Sequence, residues 1–205
     1  IAAISAHLHP DRRGVQETDV IALQEQLDVP LILSLSAGER PSLVASLEPE
    51  FLCLVPGVRR EFTTEGGLDI VSLGDRLAAT VERLLEGSAQ LGAFVDPDEE
   101  QIAACARLGM SHVTLNAGTC AMCAQHDTRS RELRRIEHAA RCAADSGLAV
   151  RAARNIDYDN VAEFAAIDRI DALVVGHALV ARSITSGIGA AIRELQERIG
   201  MARSR

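Results

Sequence analysis

The stretch QLGAFVDPDEEQIAACARLGMSHVTLN, Gln90 to Asn116, contains the fold in miniature. Gln90–Val95 is a short apolar run of strand length. Asp96-Pro97-Asp98 is a turn whose acid can cap a helix by accepting a bond from an orphan backbone N–H. The helical pattern then runs from Asp98 to Leu108, and Gly109 supplies the flexible residue that closes helices. His112–Asn116 returns to an apolar, β-branched strand. Two strands joined by a helical crossover are expected to lie parallel.

The same alternation extends both ways. Further strands are expected at Ala2–Leu8, Pro30–Ser36, Phe51–Val55, Leu148–Ala153 and Ala172–Gly176. Helices are expected at Thr18–Leu27, Arg40–Leu47, Asp75–Leu85, Thr128–Ser146, Tyr158–Ile167 and His177–Ile199. In Asp75–Leu85, the residues Leu77, Thr80, Val81, Leu84 and Leu85 recur at helical spacing and predict one buried stripe. Asp145-Ser146-Gly147 ends its helix as Gly109 does. Strict β-α alternation predicts an α/β TIM (β/α)8-type barrel, with about seven of its eight β/α units recognisable. An open doubly wound sheet is the competing arrangement. The 205 residues, 47% of them hydrophobic, suit a single domain spanning 1–205. Because the chain opens inside a strand, a first β/α unit is expected to be absent.

Net charge of −8 argues against nucleic acid as the main partner, since phosphate backbones need clustered cations. Arg129, Arg131, Arg134 and Arg135 do cluster, but on a helix that also carries Glu132 and Glu137, which reads as a solvated face. No apolar run approaches the roughly 18 residues a membrane span needs. With no basic leader at Ile1, the expected location is the cytoplasm, with no membrane partner. Lysine is absent, and all 21 cationic residues are Arg. A protein-bound Schiff base is therefore excluded, and with it lysine-dependent aldolase and ordinary pyridoxal phosphate chemistry. Five cysteines, three of them in apolar segments (Cys53, Cys105, Cys142), point to reduced buried thiols rather than a disulfide framework.

In a barrel, chemistry gathers at the C-terminal ends of the strands. His7 and His9 are two apart in an extended segment, so both rings should face the mouth, as acid/base groups or ligands. Pro10-Asp-Arg-Arg-Gly14 is a turn whose two cations suit a phosphorylated substrate or solvent. Residues 56–69 form a long polar loop with Thr63, Thr64 and a Gly66-Gly67 pair, read as a ligand contact or a hinged lid. Gly176-His177 joins the last strand to the last helix, where backbone N–H groups can hold phosphate. Cys120-x-x-Cys123 with His126 offers three zinc-type donors, and His7 or His9 a fourth. An ordinary loop with two thiols and a redox pair are the other readings.

Several of these segments resemble pyridoxine 5'-phosphate synthases. CLVPGVRREFTTEGGLD (Cys53–Asp69) is similar to the family's CLVPEKRQEVTTEGGLD, and ISAHLHPDRR (Ile4–Arg13) to ITVHLREDRR. FVDPDEEQI (Phe94–Ile102) resembles FIDADEEQI, and VGHALVAR (Val175–Arg182) resembles IGHAIIGRA. The matches run in one order over essentially the whole chain. The resemblance implies a TIM barrel that condenses 3-amino-1-hydroxyacetone phosphate with 1-deoxyxylulose 5-phosphate, giving pyridoxine 5'-phosphate, phosphate and water. It implies a homo-oligomer with a phosphorylated small-molecule substrate, no cofactor and no metal. Both amine and ketone are substrates there, which suits a chain without lysine.

Carried over by position, His7 matches a proton-transfer histidine and Thr63 a substrate-binding threonine. Gly176 and His177 match the pair at the product-phosphate site. Elsewhere the chain departs from the pattern. Ser34 stands for the glutamate base of NLEMA, and Thr114 and Asn116 for the glutamate and histidine of IEIHTG. Arg154 replaces the histidine of NAGHGL, His9 a substrate-binding arginine, and Gly14 the final histidine of HLREDRRH. The family's NIDHIATLR stretch has no counterpart. The expected site is therefore His7 as the catalytic group, with His9, Thr63, Arg154, Gly176 and His177 binding substrate or phosphate. Three functions follow: a divergent synthase with weakened acid/base chemistry, a non-catalytic binder of a phosphorylated metabolite or assembly partner, or a metal-assisted enzyme using His7, His9, Cys120, Cys123 and His126.

Overall fold

A computed structural model describes residues 2–39, 41–57 and 66–204. Its strands are β1 (Ile4–Leu8), β2 (Leu31–Ser36), β3 (Phe51–Val55), β4 (Gln90–Val95), β5 (His112–Asn116), β6 (Ala149–Ala153) and β7 (Ala172–Val174). The helices are α1 (Glu17–Gln26), α2 (Pro41–Leu47), α3 (Ile70–Leu85), α4 (Glu99–Arg107), α5 (Gly118–Met122), α6 (His126–Asp145), α7 (Val161–Ala165), α8 (His177–Ser186) and α9 (Ile188–Arg203). The strands form one sheet in the order β1-β2-β3-β4-β5-β6-β7, every pair parallel. This is the sheet of a TIM-type barrel with seven units, and the doubly wound alternative, whose strand order reverses, is set aside.

The sheet curls. Neighbouring strands lie about 4.8 Å apart, so in a flat sheet β3 and β5 would be roughly 10 Å apart. Yet Cys53 Sγ on β3 lies 3.9 Å from Thr114 Oγ1 on β5, and both side chains are short. Arg151 on β6 reaches the Phe51 ring on β3, its Cζ 5.3 Å from the centroid. Such contacts across intervening strands require a concave face.

Alternation sorts the side chains. Leu33, Leu35, Leu52, Leu54, Leu91, Ala93, Val95, Val113, Leu115, Val150 and Ala152 point outward into one continuous core with the helices. Within that core Leu77, Val81 and Leu84 present the expected stripe of α3, while Leu85 is exposed and lies off it. Ile32, Cys53 and Phe94 point inward and form a separate small cluster.

Four expectations need correction. α3 starts at Ile70, five residues early, and passes a non-helical Gly74 (φ 48, ψ −132). The last helical stretch is two helices, because Gly187 sits at φ 78 and ψ 148 and breaks it. The segment holding Cys120 is not a plain loop, since Gly118–Met122 is a short helix. Cys142 is only partly buried, whereas Cys120 is buried, and all five cysteines are free thiols.

The expected caps hold. Asp98 accepts from Glu100 N at 3.0 Å, and Gly109 and Gly147 end their helices at φ 74 and 80. Gly92 has a packing reason to be glycine, because a Cβ there would overlap both the ring and the carbonyl oxygen of His112 on the adjacent strand. Gly92→Ala is expected to cost about 1–3 kcal/mol through overpacking. Gly200→Ala, in α9 with open space around the new methyl group, should be neutral or stabilising by about 0.5–1 kcal/mol. Urea denaturation of the two variants tests the contrast.

Candidate active site

Parallel strands place their C-terminal ends at one end of the sheet; among the described expected residues, His7 and His9 lie at the β1 edge and Arg154, Gly176 and His177 toward the β7 edge. His7 closes β1 beside Ser34 of β2, and the rings of His7 and His9 stack, centroids 3.8 Å apart at 24°. Both therefore face the same side, as their spacing predicts. Burial first, then His9 and Arg13, holds the His7 imidazole down at about 4, so the ring is neutral at pH 7. His9 Nδ1 is buried without a hydrogen-bond partner among the described residues.

The turn that follows splits its two arginines. Arg12 is bound at 2.7 Å to Glu17 and 2.9 Å to Glu39, and it donates to the His9 carbonyl. It is a structural clamp rather than a substrate cation, while Arg13 is largely exposed. Thr63 lies outside the described residues.

At the other edge of the sheet, Arg154, Asn155, Ile156, Asp157, Val174, Gly176, His177 and Ala178 line an open cavity of about 360 Å³. Three expected residues, Arg154, Gly176 and His177, thus share one site. Gly176 is the N-cap of α8 and uses no side chain to cap it. His177 is exposed. Asp157 is a carboxylate in the same wall, but its Oδ1 is engaged by the backbone N–H groups of Asp159 and Asn160. Arg154 and Asn155 both hold positive φ, 86° and 54°, a conformation uncommon outside glycine that concentrates at functional sites. The Arg154 guanidinium carbon sits 6.0 Å from the centre of the Phe94 ring.

A second cavity, of about 240 Å³, lies at the ends of β4 and β5 and is lined by Gly66, Asp96, Pro97, Asn116, Thr119, Cys120, Glu132, Arg135 and Ile136. Asp96 Oδ1 accepts from Gly67 N at 2.9 Å and from Asn116 Nδ2 at 2.8 Å. The end of the long loop is thereby tied to the mouth. Leu68 N adds a 2.7 Å bond to the Phe94 carbonyl. Asp96 and Asn116 were visible as strand ends. Glu132 and Arg135 were not, because they sit in the middle of α6, where composition reads as surface.

The substituted positions also face inward. Thr114 and Arg151 lie opposite each other in register, and Cys53 donates weakly to Thr114 Oγ1. Burial pushes the Cys53 thiol up to about 11, so it stays protonated. Arg151 Nη1 and His112 Nε2 are buried without partners among the described residues. Arg151 was among the strand-end candidates; sequence reading missed His112, although strand parity could have placed it on the inner wall.

The metal reading finds no support at Cys120, Cys123 and His126. Cys120 Sγ donates to the Arg129 carbonyl at 3.7 Å. Among the described residues, the group of His, Cys and acidic side chains close enough to share an ion is a different one, Glu99, His138 and Cys142.

Seven parallel strands in sequence order, with polar residues at their C-terminal ends, define a protein of the TIM-barrel class. Comparison with known proteins narrows the class. The family model for the pyridoxal phosphate biosynthesis protein PdxJ matches residues 1–201. The pyridoxine 5'-phosphate synthase of Thioalkalivibrio sulfidiphilus is 38% identical over 201 residues, covering 98% of this chain and 82% of the relative. That of Blochmanniella floridana is 36% identical over 198 residues, covering 96% and 80%. The chain belongs to the pyridoxine 5'-phosphate synthase family. Among solved structures, phosphoribosyl anthranilate isomerase from Thermus thermophilus aligns with a TM-score of 0.62 at 15% identity, over 98% of this chain and 89% of that one, a likeness of fold alone.

His112 provides a pH test. Burial, reinforced by Arg151, lowers its imidazole from 6.5 to about 4. Above pH 6.5 neither the folded nor the unfolded ring is charged, so pH has no effect through it. As pH falls from 6.5 to 4 the unfolded chain takes up the proton first, and stability is lost. For a side chain only 1% exposed, this amounts to about 3 kcal/mol. His112→Leu should flatten the fall in urea-unfolding free energy between pH 6.5 and 4. An unchanged slope would show that His112 is not responsible.

Proposed function

We propose that this chain is a divergent pyridoxine 5'-phosphate synthase that keeps phosphate binding at the Arg154, Gly176 and His177 cavity and has weakened acid/base chemistry. The observation that carries the reading is the cavity itself. A guanidinium, a helix N-terminus and an exposed imidazole line it, and one oxygen of its Asp157 carboxylate accepts from two backbone N–H groups. Each of the three suits an anion.

The relatives carry the name of the synthase, and the family reaction needs proton transfers. His7 remains in place for them, neutral and accessible to proton exchange. Beside it, Ser34 cannot act as a base near neutral pH, and the inward Thr114 cannot either. Arg154 cannot give up a proton. General acid/base groups each contribute about 10²–10⁴-fold, so the family condensation should be slowed by at least about 10² relative to an intact relative. His9 and Thr63 complete the proposed substrate-binding set.

The partner is a phosphorylated small molecule in a cytoplasmic setting. Among the described residues no helix is long and apolar enough to cross a membrane. A homo-oligomer is also part of the reading. α8 has no buried residue, and Val180, Ile184 and Ile188 stand exposed along α8 and the start of α9, a face suited to a second copy.

Isotope-traced turnover of 3-amino-1-hydroxyacetone phosphate with 1-deoxyxylulose 5-phosphate tests the slowed reaction, with the Thioalkalivibrio enzyme as reference. Equal turnover would overturn the weakened-chemistry reading, and Ser34→Glu is expected to raise the rate. In a parallel thermal-shift series, pyridoxine 5'-phosphate and inorganic phosphate should stabilise the wild type beyond a matched-salt control. Arg154→Ala and His177→Ala should each lose most of that shift. A shift equal in all three proteins would remove the phosphate assignment. Sedimentation analysis reads the oligomer separately, and Ile184→Glu should shift it toward monomer.

A further inference from the structure

The helical layer carries a group of side chains that the mouth chemistry does not use. His138 and Cys142 are four residues apart on α6, so they lie one turn apart on one face. Glu99 is the first residue of α4, held there by the Asp98 cap, and α4 packs against α6. Cys142 Sγ is 3.6 Å from His138 Nε2, and His138 Nε2 is 3.6 Å from Glu99 Oε2. One donor atom from each of the three residues lies within 4.8 Å of the other two.

These separations are those of a tetrahedral zinc sphere. With Zn–S about 2.3 Å and Zn–N and Zn–O about 2.0 Å, tetrahedral angles put sulfur and nitrogen about 3.5 Å apart and nitrogen and oxygen about 3.3 Å apart. The two pairs that include His138 need to move only by tenths of an ångström, and Glu99 closes on Cys142 from within 4.8 Å. An ion pair between Glu99 and His138 accounts for one of the two short distances and the i,i+4 spacing on α6 for the other; together they bring one donor atom of each residue to a common point. The donor set is equally selective: a thiolate with an imidazole disfavours magnesium and calcium, which take oxygen, and suits zinc or cobalt. Glu99 and Asp145 make the thiol's surroundings anionic, and the offsetting Arg141 is drawn to Glu137 at 3.5 Å.

We propose that Glu99, His138 and Cys142 form a divalent transition-metal site of the zinc class that clamps the start of α4 to α6. Three protein donors leave a fourth position for water. The clamp stands next to the mouth: Pro97 and Ile136, each two residues from a donor, line the cavity that holds Asp96 and Asn116. A bound ion would hold those two walls in fixed relation. The site does not depend on which phosphorylated ligand the barrel takes.

The test uses the full chain, purified without an affinity tag, stripped with chelator and titrated with cobalt(II) and then zinc(II). The wild type should take one equivalent, with a near-ultraviolet thiolate-to-cobalt absorption that zinc displaces. Cys142→Ser should abolish that absorption and weaken zinc binding more than tenfold in a chelator competition, and His138→Gln should weaken it similarly. Cys123→Ser should change neither. Zinc should raise the unfolding midpoint of the wild type and of Cys123→Ser but not of Cys142→Ser. Absence of thiolate absorption in the wild type, or its survival in Cys142→Ser, would overturn the proposal.

Discussion

The inner wall of the barrel depends on curvature. A parallel sheet with helices on one face buries that face completely, and here the outward rows are almost wholly Leu, Val and Ala. Curling brings the other face onto itself, so that side chains two strands apart touch, as Cys53 and Thr114 do. Every inward residue then has other inward residues as its surroundings. Gly92 shows how tight this is, since the ring of His112 occupies the space a side chain would need.

That constraint decides which charged groups the inner wall and its mouth collect. The whole sequence carries −8, but its acids lie mainly on helices and turns. Asp96 is the carboxylate among the described inward-facing strand-end residues, and it is engaged by Gly67 and Asn116. Beside it stand His7, His9 and Arg154, while His112, the first residue of β5, and Arg151 lie deeper on the inner wall. Burial keeps His7 and His112 neutral at pH 7. Desolvation works against Arg151 as well and lowers its pKa. The cavity walls carry both signs, Asp96, Glu132 and Asp157 with Arg135 and Arg154.

Strand positions were legible because parallel strands covered by helices must be short, apolar and bounded by turn residues. Phe51–Val55, Gln90–Val95 and His112–Asn116 have the bounds their patterns predict. The helices were less legible where glycine decided the outcome. The apolar spacing through His177–Ile199 continues across Gly187, and only its backbone angles reveal the break. In the site, spacing alone predicted that His7 and His9 share a side, and the stacked rings agree. The pairing of Arg154 with the Gly176 turn came from family likeness, and the cavity brings them together. Distances between helices were not legible at all. Nothing in the order of residues brings Glu99 beside His138 and Cys142, or Glu132 into the mouth, because both depend on how far α6 projects past the strand ends.

The loop after β6 shows how the departures from the family pattern fit one another. Two successive residues without glycine's freedom, Arg154 and Asn155, take positive φ there. Such backbone costs on the order of 1–3 kcal/mol per residue and persists only where surrounding contacts hold it. Contacts are present: the Arg154 side chain packs beside Gly118, and its guanidinium carbon lies 6.0 Å from the Phe94 ring centre. Asn160 Nδ2 bonds the Asn155 carbonyl at 2.9 Å, fixing the second strained residue. A loop that merely crossed the surface would relax into ordinary backbone. This one is held, and it sets Arg154 in the wall of the same cavity as the α8 N-terminus.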